Sequence, residues 1–273
     1  MDAIQAIVLG IVQGLTEFLP ISSTGHLRIV PAFLGWDDPG AAFTAVIQLG
    51  TMAAVLLYFR EDLLRILRTW FASLRRPELR GELDARMGWY IGLGTIPIAI
   101  FGFLFKDQIE SGARDLYVIG VALIVFGLLL GAADRFPEGE PQRDVASIGR
   151  RDAILIGFAQ ALALIPGVSR SGATLSAGRL LRFDRTSAAR YSFLLSIPAV
   201  VLSGLFELRK IGDEQGAGLG PTLLGTIFAF IVGYASIAFL LRWLTSHSLD
   251  IFVIYRVALG ALVLVLTAAG AIS

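Results

Sequence analysis

Eleven residues near the middle of the chain, Leu164 to Thr174, read Leu-Ile-Pro-Gly-Val-Ser-Arg-Ser-Gly-Ala-Thr. They follow an apolar run, Ala153 to Ile165, that is too short to cross a membrane. A guanidinium among such residues meets a heavy desolvation penalty unless an anion meets it. Arg170 carries the planar fork that pairs bidentately with phosphate or carboxylate. Ser169, Ser171 and Thr174 add hydroxyl donors, while Gly167 and Gly172 let an oxyanion approach the backbone. A helix starting near Ala173 would point its N-terminal amides at the same place. This stretch reads as an anion-binding re-entrant loop. The bland alternative is an arginine satisfied by carbonyls or by Glu17 as a structural pair.

A second break lies near the N-terminus, Glu17-Phe-Leu-Pro-Ile-Ser-Ser-Thr-Gly-His26. It offers Glu17, Ser22, Ser23, Thr24 and His26. Gln13 stands four residues before Glu17, on the same helix face. That pair could hold a hard divalent ion against a phosphate, or Glu17 could act as a base; a capping carboxylate is the plainer reading. His26 suits proton transfer or attack on phosphorus, although a lone histidine is often no more than a hydrogen-bonding residue. Ser23 could attack phosphorus too, or merely satisfy freed backbone groups. Arg256, in the last apolar run, either snorkels to the interface or reaches a second phosphate. His247 sits among Thr245, Ser246 and Ser248 and reads as a solvated surface residue.

The elements that must position these groups are apolar. Hydrophobic residues make up 55% of the chain and charged ones 16%, against about a quarter charged in a soluble domain; the mean hydropathy is +0.73. The class is an all-α multi-pass membrane protein. Without cysteine, thiol catalysis, disulfides and Cys-ligated zinc are excluded. The net charge of +1 gives no reason to expect nucleic acid. Asp2 and the absence of a small-residue cleavage site argue against a signal peptide.

In order, the chain offers a hairpin (Ala3 to Thr16, then Leu27 to Leu34) and a span at Ala41 to Phe59. A charged loop at Arg60 to Arg86 holds seven arginines and five acids, read as a solvated face near anionic lipid. Spans follow at Gly88 to Phe105 and Leu116 to Ala133, joined by a short polar turn. After a second charged loop the pattern restarts, with a hairpin from Ala153 to Leu181 and spans at Tyr191 to Phe206, Leu219 to Leu241 and Ile251 to Ile272. A single membrane domain results: repeat one at 1–133, the charged loop at 134–152, and repeat two at 153–273.

At an offset of 147, Ala6, Ile7, Gly10, Gln13 and Leu15 match Ala153, Ile154, Gly157, Gln160 and Leu162, and Ser22 and Gly25 match Ser169 and Gly172. Each half then holds one re-entrant hairpin and three spans. Three is an odd number, so the second half enters from the opposite face as an inverted repeat, with its broken helices meeting near the midplane. The loops 60–87, 134–152 and 242–250 hold twelve basic residues and the opposite side (1–40, 106–115, 207–218) five. The positive-inside rule therefore puts those loops in the cytoplasm and both termini outside.

Gln13-Gly-Leu-Thr-Glu17-Phe-Leu-Pro-Ile-Ser-Ser-Thr-Gly-His26 and Pro166-Gly-Val-Ser-Arg-Ser-Gly-Ala-Thr174 resemble the two signature motifs of the undecaprenyl-diphosphatase (bacitracin-resistance) family. The likeness extends to Ile47-Gln-Leu-Gly50 and Tyr255-Arg256. It departs at Gln13, where many members carry Glu. The resemblance implies hydrolysis of undecaprenyl diphosphate to the monophosphate and inorganic phosphate, which recycles the lipid carrier for cell-wall synthesis. It also implies a fold of six spans and two re-entrant hairpins in the bacterial cell membrane, an active site on the outer face, and a divalent cation, Mg²⁺ or Ca²⁺. Glu17, His26, Ser23 and Arg170 are the catalytic candidates. Gln13, Ser22, Thr24, Ser169, Ser171, Gly172, Thr174 and Arg256 are the substrate-binding ones, and Glu17 with Gln13 the candidate metal ligands. The expected partners are a polyprenyl diphosphate lipid, the membrane and a second copy in a homodimer. The rival reading is a lipid flippase or transporter using the same anion site.

Overall fold

The computed structural model describes residues 1–105, 115–136, 139–207 and 218–272, with no account of the side chains of residues 41, 42 and 203–207. The polar turn expected at 106–115 falls almost wholly outside these residues, as does most of the 207–218 loop. Among the described residues the fold is all-helical, with one isolated bridge between Arg143 and Phe183.

The first hairpin is α1 (Ala3–Phe18) and α2 (Ser23–Leu34). Asp2 caps α1 in a reciprocal capping box with Gln5. Then come α3 (Gly40–Tyr58), α4 (Arg60–Arg75), α5 (Leu83–Leu104) and α6 (Leu116–Arg135). The second hairpin is α7 (Arg150–Ala161) and α8 (Arg170–Leu180), followed by α9 (Arg185–Glu207), α10 (Leu219–Trp243) and α11 (Asp250–Ala268). Most expected runs end within a few residues of these helices. The first charged loop is different: its leading part is helical, and α4 leaves α3 at 72°.

Four helices, α5, α6, α10 and α11, are long and apolar enough to cross a membrane; α3 and α4 would add a fifth if the bent pair counts as one span. The chain is a multi-pass membrane protein. Large apolar side chains are correspondingly exposed along the outer faces, such as Phe103 at 82% and Ile254 at 69%, where acyl chains replace water.

The leading helix of each hairpin packs chiefly against the other part of the chain. Helix α1 lies chiefly against α10, and α7 against α5, while α3 meets α9 and α6 meets α11. Glycine sets both hairpin contacts. A Cβ on Gly10 would run into the carbonyl oxygen of Gly225, and one on Gly157 would meet the backbone of Gly94. Only glycine permits that backbone approach.

At one end a buried charge cluster ties four helices. Asp134 of α6 accepts from Arg179 of α8 (3.0 Å), from Arg185 of α9 (2.7 and 2.9 Å) and from the Leu249 amide before α11 (3.0 Å). One carboxylate meeting two guanidinia and an amide is satisfied in the way a buried charge requires.

Candidate active site

Helices α2 and α8 begin in the same way. Ser22 and Ser169 are the N-caps, each with positive φ (76° and 72°), and each accepts from the glycine amide three residues on, Gly25 and Gly172. An L-residue held there stores roughly 1–3 kcal/mol of backbone strain, a feature that clusters at functional sites. Ser22 and Thr24 lie 3.2 Å apart, as do Ser169 and Ser171. Helix α8 thus starts at Arg170, three residues before the expected Ala173. Helix α2 starts at Ser23, so His26 sits in its first turn.

The charged centre lies where the two breaks meet. Glu17, at the end of α1, accepts from Arg170 Nη2 on Oε1 at 2.5 Å. Its other oxygen accepts from Ser23 Oγ at 2.7 Å and from the Gln13 amide at 2.9 Å. Arg170 Nη1 reaches the Ser196 carbonyl at 3.3 Å, and the Gln13 amide also reaches Thr51 at 3.4 Å. Glu17 is 8% exposed and Gln13 1%, whereas Ser23 is partly exposed and Thr24 exposed. The cluster therefore opens outward on the serine side. Ser171 donates to the Leu19 carbonyl at 3.1 Å, so the second break holds the first directly. Thr174 donates to the Arg170 carbonyl and shares a 2.5 Å hydrogen bond with Ser192 of α9.

His26 is engaged at both nitrogens. Nδ1 donates to the Ser22 carbonyl at 2.7 Å, which fixes the tautomer and leaves Nε2 to accept from the Tyr255 hydroxyl at 2.6 Å. Tyr255, together with Ser192 and Ser196, was not singled out from sequence as a site residue. The only signal was the tyrosine's place beside Arg256.

Arg256 is fully buried. Its donors go to backbone carbonyls: Pro20 at 3.0 Å, Gly167 and Val168 at 2.9 Å each, Leu123 at 3.3 Å and Ala122 at 3.5 Å. It neither snorkels nor lies open to a phosphate. Instead it joins the break after α1 to the break before α8, and a Cβ on Gly172 would stand 2.9 Å from its Nη1. Replacing it with methionine strips the donors from carbonyls that have no water to turn to. Counting the three short bonds, to Pro20, Gly167 and Val168, at about 1 kcal/mol each, Arg256→Met should lower stability by about 3 kcal/mol, seen as a fall in Tm in detergent.

The donor set for a divalent ion is one carboxylate, Glu17, already paired with Arg170; among the described residues no three of His, Asp and Glu converge. That fits no all-protein cage. It does fit an ion of the magnesium type, which takes one or two carboxylates and completes its shell with substrate phosphates.

A family model described as "Bacitracin resistance protein BacA" matches residues 6–262. The chain is 60% identical over 274 residues to an undecaprenyl-diphosphatase of Nocardioides sp., covering 100% of this chain and 99% of that one. It is 55% identical to one of Thermobifida fusca (100% and 93% covered) and 53% identical to one of Chlorobium luteolum (100% and 99%). Matched along nearly its whole length, and carrying both polar breaks within the matched residues, the chain belongs to the bacitracin resistance protein BacA family.

Proposed function

We propose that the protein is an integral-membrane phosphatase that hydrolyses undecaprenyl diphosphate to undecaprenyl phosphate and inorganic phosphate. The observation that carries the mechanism is Glu17 standing between Ser23 and Arg170, one oxygen to each. In this reading the diphosphate takes Arg170 from Glu17, and the fork then clamps the phosphoryl oxygens. The freed carboxylate accepts the Ser23 proton while Ser23 Oγ attacks the terminal phosphorus. The bond from that phosphorus to the bridging oxygen breaks, and undecaprenyl phosphate leaves. Water then hydrolyses the seryl phosphate, releasing inorganic phosphate and restoring the hydroxyl. Ser23 is preferred over His26 as nucleophile because both imidazole nitrogens are engaged.

His26 holds the α2 start against α11 through Tyr255. Ser169, Ser171, Gly172 and Thr174 shape the anion seat beside Arg170, with Ser22 and Thr24 facing it from the first break. Arg256 fixes the two breaks against each other. Glu17, with Gln13 beside it, would hold a divalent ion shared with the diphosphate, and such an ion neutralises phosphate charge when bound.

We further propose the inverted repeat with six spans and two re-entrant hairpins. It is supported by matched features 147 residues apart: the positive-φ caps Ser22 and Ser169, and the close glycine contacts of Gly10 and Gly157. The distribution of arginines supports a site facing the outer side of the bacterial cell membrane; a homodimer is part of the same reading. The phosphatase name of the relatives leaves the flippase reading without support. Purified protein should release phosphate from a polyprenyl diphosphate in detergent, and a chelator should suppress most of that release. No release from the long-chain lipid with Mg²⁺ or Ca²⁺ present would refute the phosphatase.

A further inference from the structure

Helix α4 has two apolar faces and only one is covered. Ile66 and Ser73 are buried, and Trp70 lies against Gly88 of α5. The other face carries Leu64, Leu67, Phe71 and Leu74, exposed at 49%, 47%, 58% and 48%. Their spacing of three, four and three keeps them in one stripe over three turns of helix. Polar residues fill the remaining arc. Arg65 is engaged there by Asp62 (2.8 Å) and Asp84 (2.7 Å). Arg68 and Arg75, seven residues and so two turns apart, flank the apolar stripe and meet no carboxylate among the described residues.

Asp62 also accepts two hydrogen bonds of 2.6 Å from Arg190 of α9, so α4 is fixed to the helix bundle at its start. The 72° bend carries it away from the line of α3. An exposed leucine-phenylalanine stripe edged by free guanidinia has the form of a helix lying in the plane of a membrane interface. Its apolar side sinks to the acyl boundary and its arginines reach phosphate oxygens.

We propose that α4 is an in-plane docking surface for anionic phospholipid, with Leu64, Leu67, Phe71 and Leu74 among the acyl chains and Arg68 and Arg75 on the headgroup phosphates. The occupant is lipid rather than a second copy because the stripe is edged by unmatched positive charge. A copy of the same face would bring arginine against arginine.

The chain has no cysteine, so a single Phe71→Cys or Ala72→Cys carries the only spin label in the protein. Each labelled protein is placed in nanodiscs of phosphatidylcholine with or without phosphatidylglycerol, and the label's access to a water-soluble relaxing agent is measured. Position 71 should be shielded and position 72, on the polar arc, accessible. Each arginine at an anionic surface is worth about fivefold in partition. Arg68→Gln with Arg75→Gln should therefore lower the seated-to-unseated ratio at position 71 about twenty-five-fold in the anionic discs. Both arginines are exposed, and an unchanged Tm would show that the fold survives. Shielding at position 71 that ignores lipid charge and both substitutions overturns the proposal, as does shielding that follows protein density, which would mark a second copy. The readout is independent of phosphate release, so it stands or falls apart from the assigned reaction.

Discussion

Ser23→Ala is expected to lower phosphate release from a polyprenyl diphosphate by about three orders of magnitude, in the range of losing a nucleophile together with its proton transfer. The loss should fall on kcat, because the hydroxyl contributes little to holding a lipid whose affinity comes from its tail and its phosphates. The neighbouring hydroxyl supplies the control. Thr24 is exposed and bonds Ser22 rather than Glu17, so Thr24→Ala should stay within about tenfold of the parent, the range of a weak neutral hydrogen bond. Near-parental turnover by Ser23→Ala would shift the attack to water held by Glu17. Equal losses in the two variants would show that the break had been disturbed as a whole.

Arg170→Lys should lose about a hundredfold or more in phosphate release, the scale of removing one aimed donor from a site that stabilises transition-state charge. The charge survives this change; the geometry does not. Arg170 now spans Glu17 Oε1 and the Ser196 carbonyl with two different nitrogens, and a single ammonium on a flexible stem has no such reach or planarity. Both kcat and kcat/KM should fall. A lysine variant hydrolysing at the parental rate would mean that the fork is a structural partner of Glu17 and nothing more.

Much of this site was legible in the chain because membrane segments expose their exceptions. Glu17, Ser23 and Arg170 stand out where the neighbours are apolar, and proline with glycine marks where each helix must break. The partnership of Glu17 with Arg170 followed from supposing that the breaks meet. Other features were not legible. Arg256 looked equally suited to a phosphate or to the interface, because nothing local reveals five carbonyls supplied by residues 20 to 168. Tyr255 was hidden for the same reason, since its partner lies 229 positions away. Helix α4 read as a solvated loop because its arginines dominate the composition, while the spacing of Leu64, Leu67, Phe71 and Leu74 was the signal for a helix with an apolar side.

The seating of α1 on α10 has a consequence for biosynthesis. The N-terminal helix leaves the ribosome about two hundred residues before its main neighbour exists, so most of its final contacts close a very long loop. Helix α1, capped by Asp2, lacks its main packing partner until translation has nearly finished. A chain halted before Leu219 should therefore leave α1 without its main neighbour and prone to proteolysis, and because Arg256, which ties the two breaks together, comes later still, maturation of the catalytic centre becomes one of the last events in the protein's assembly.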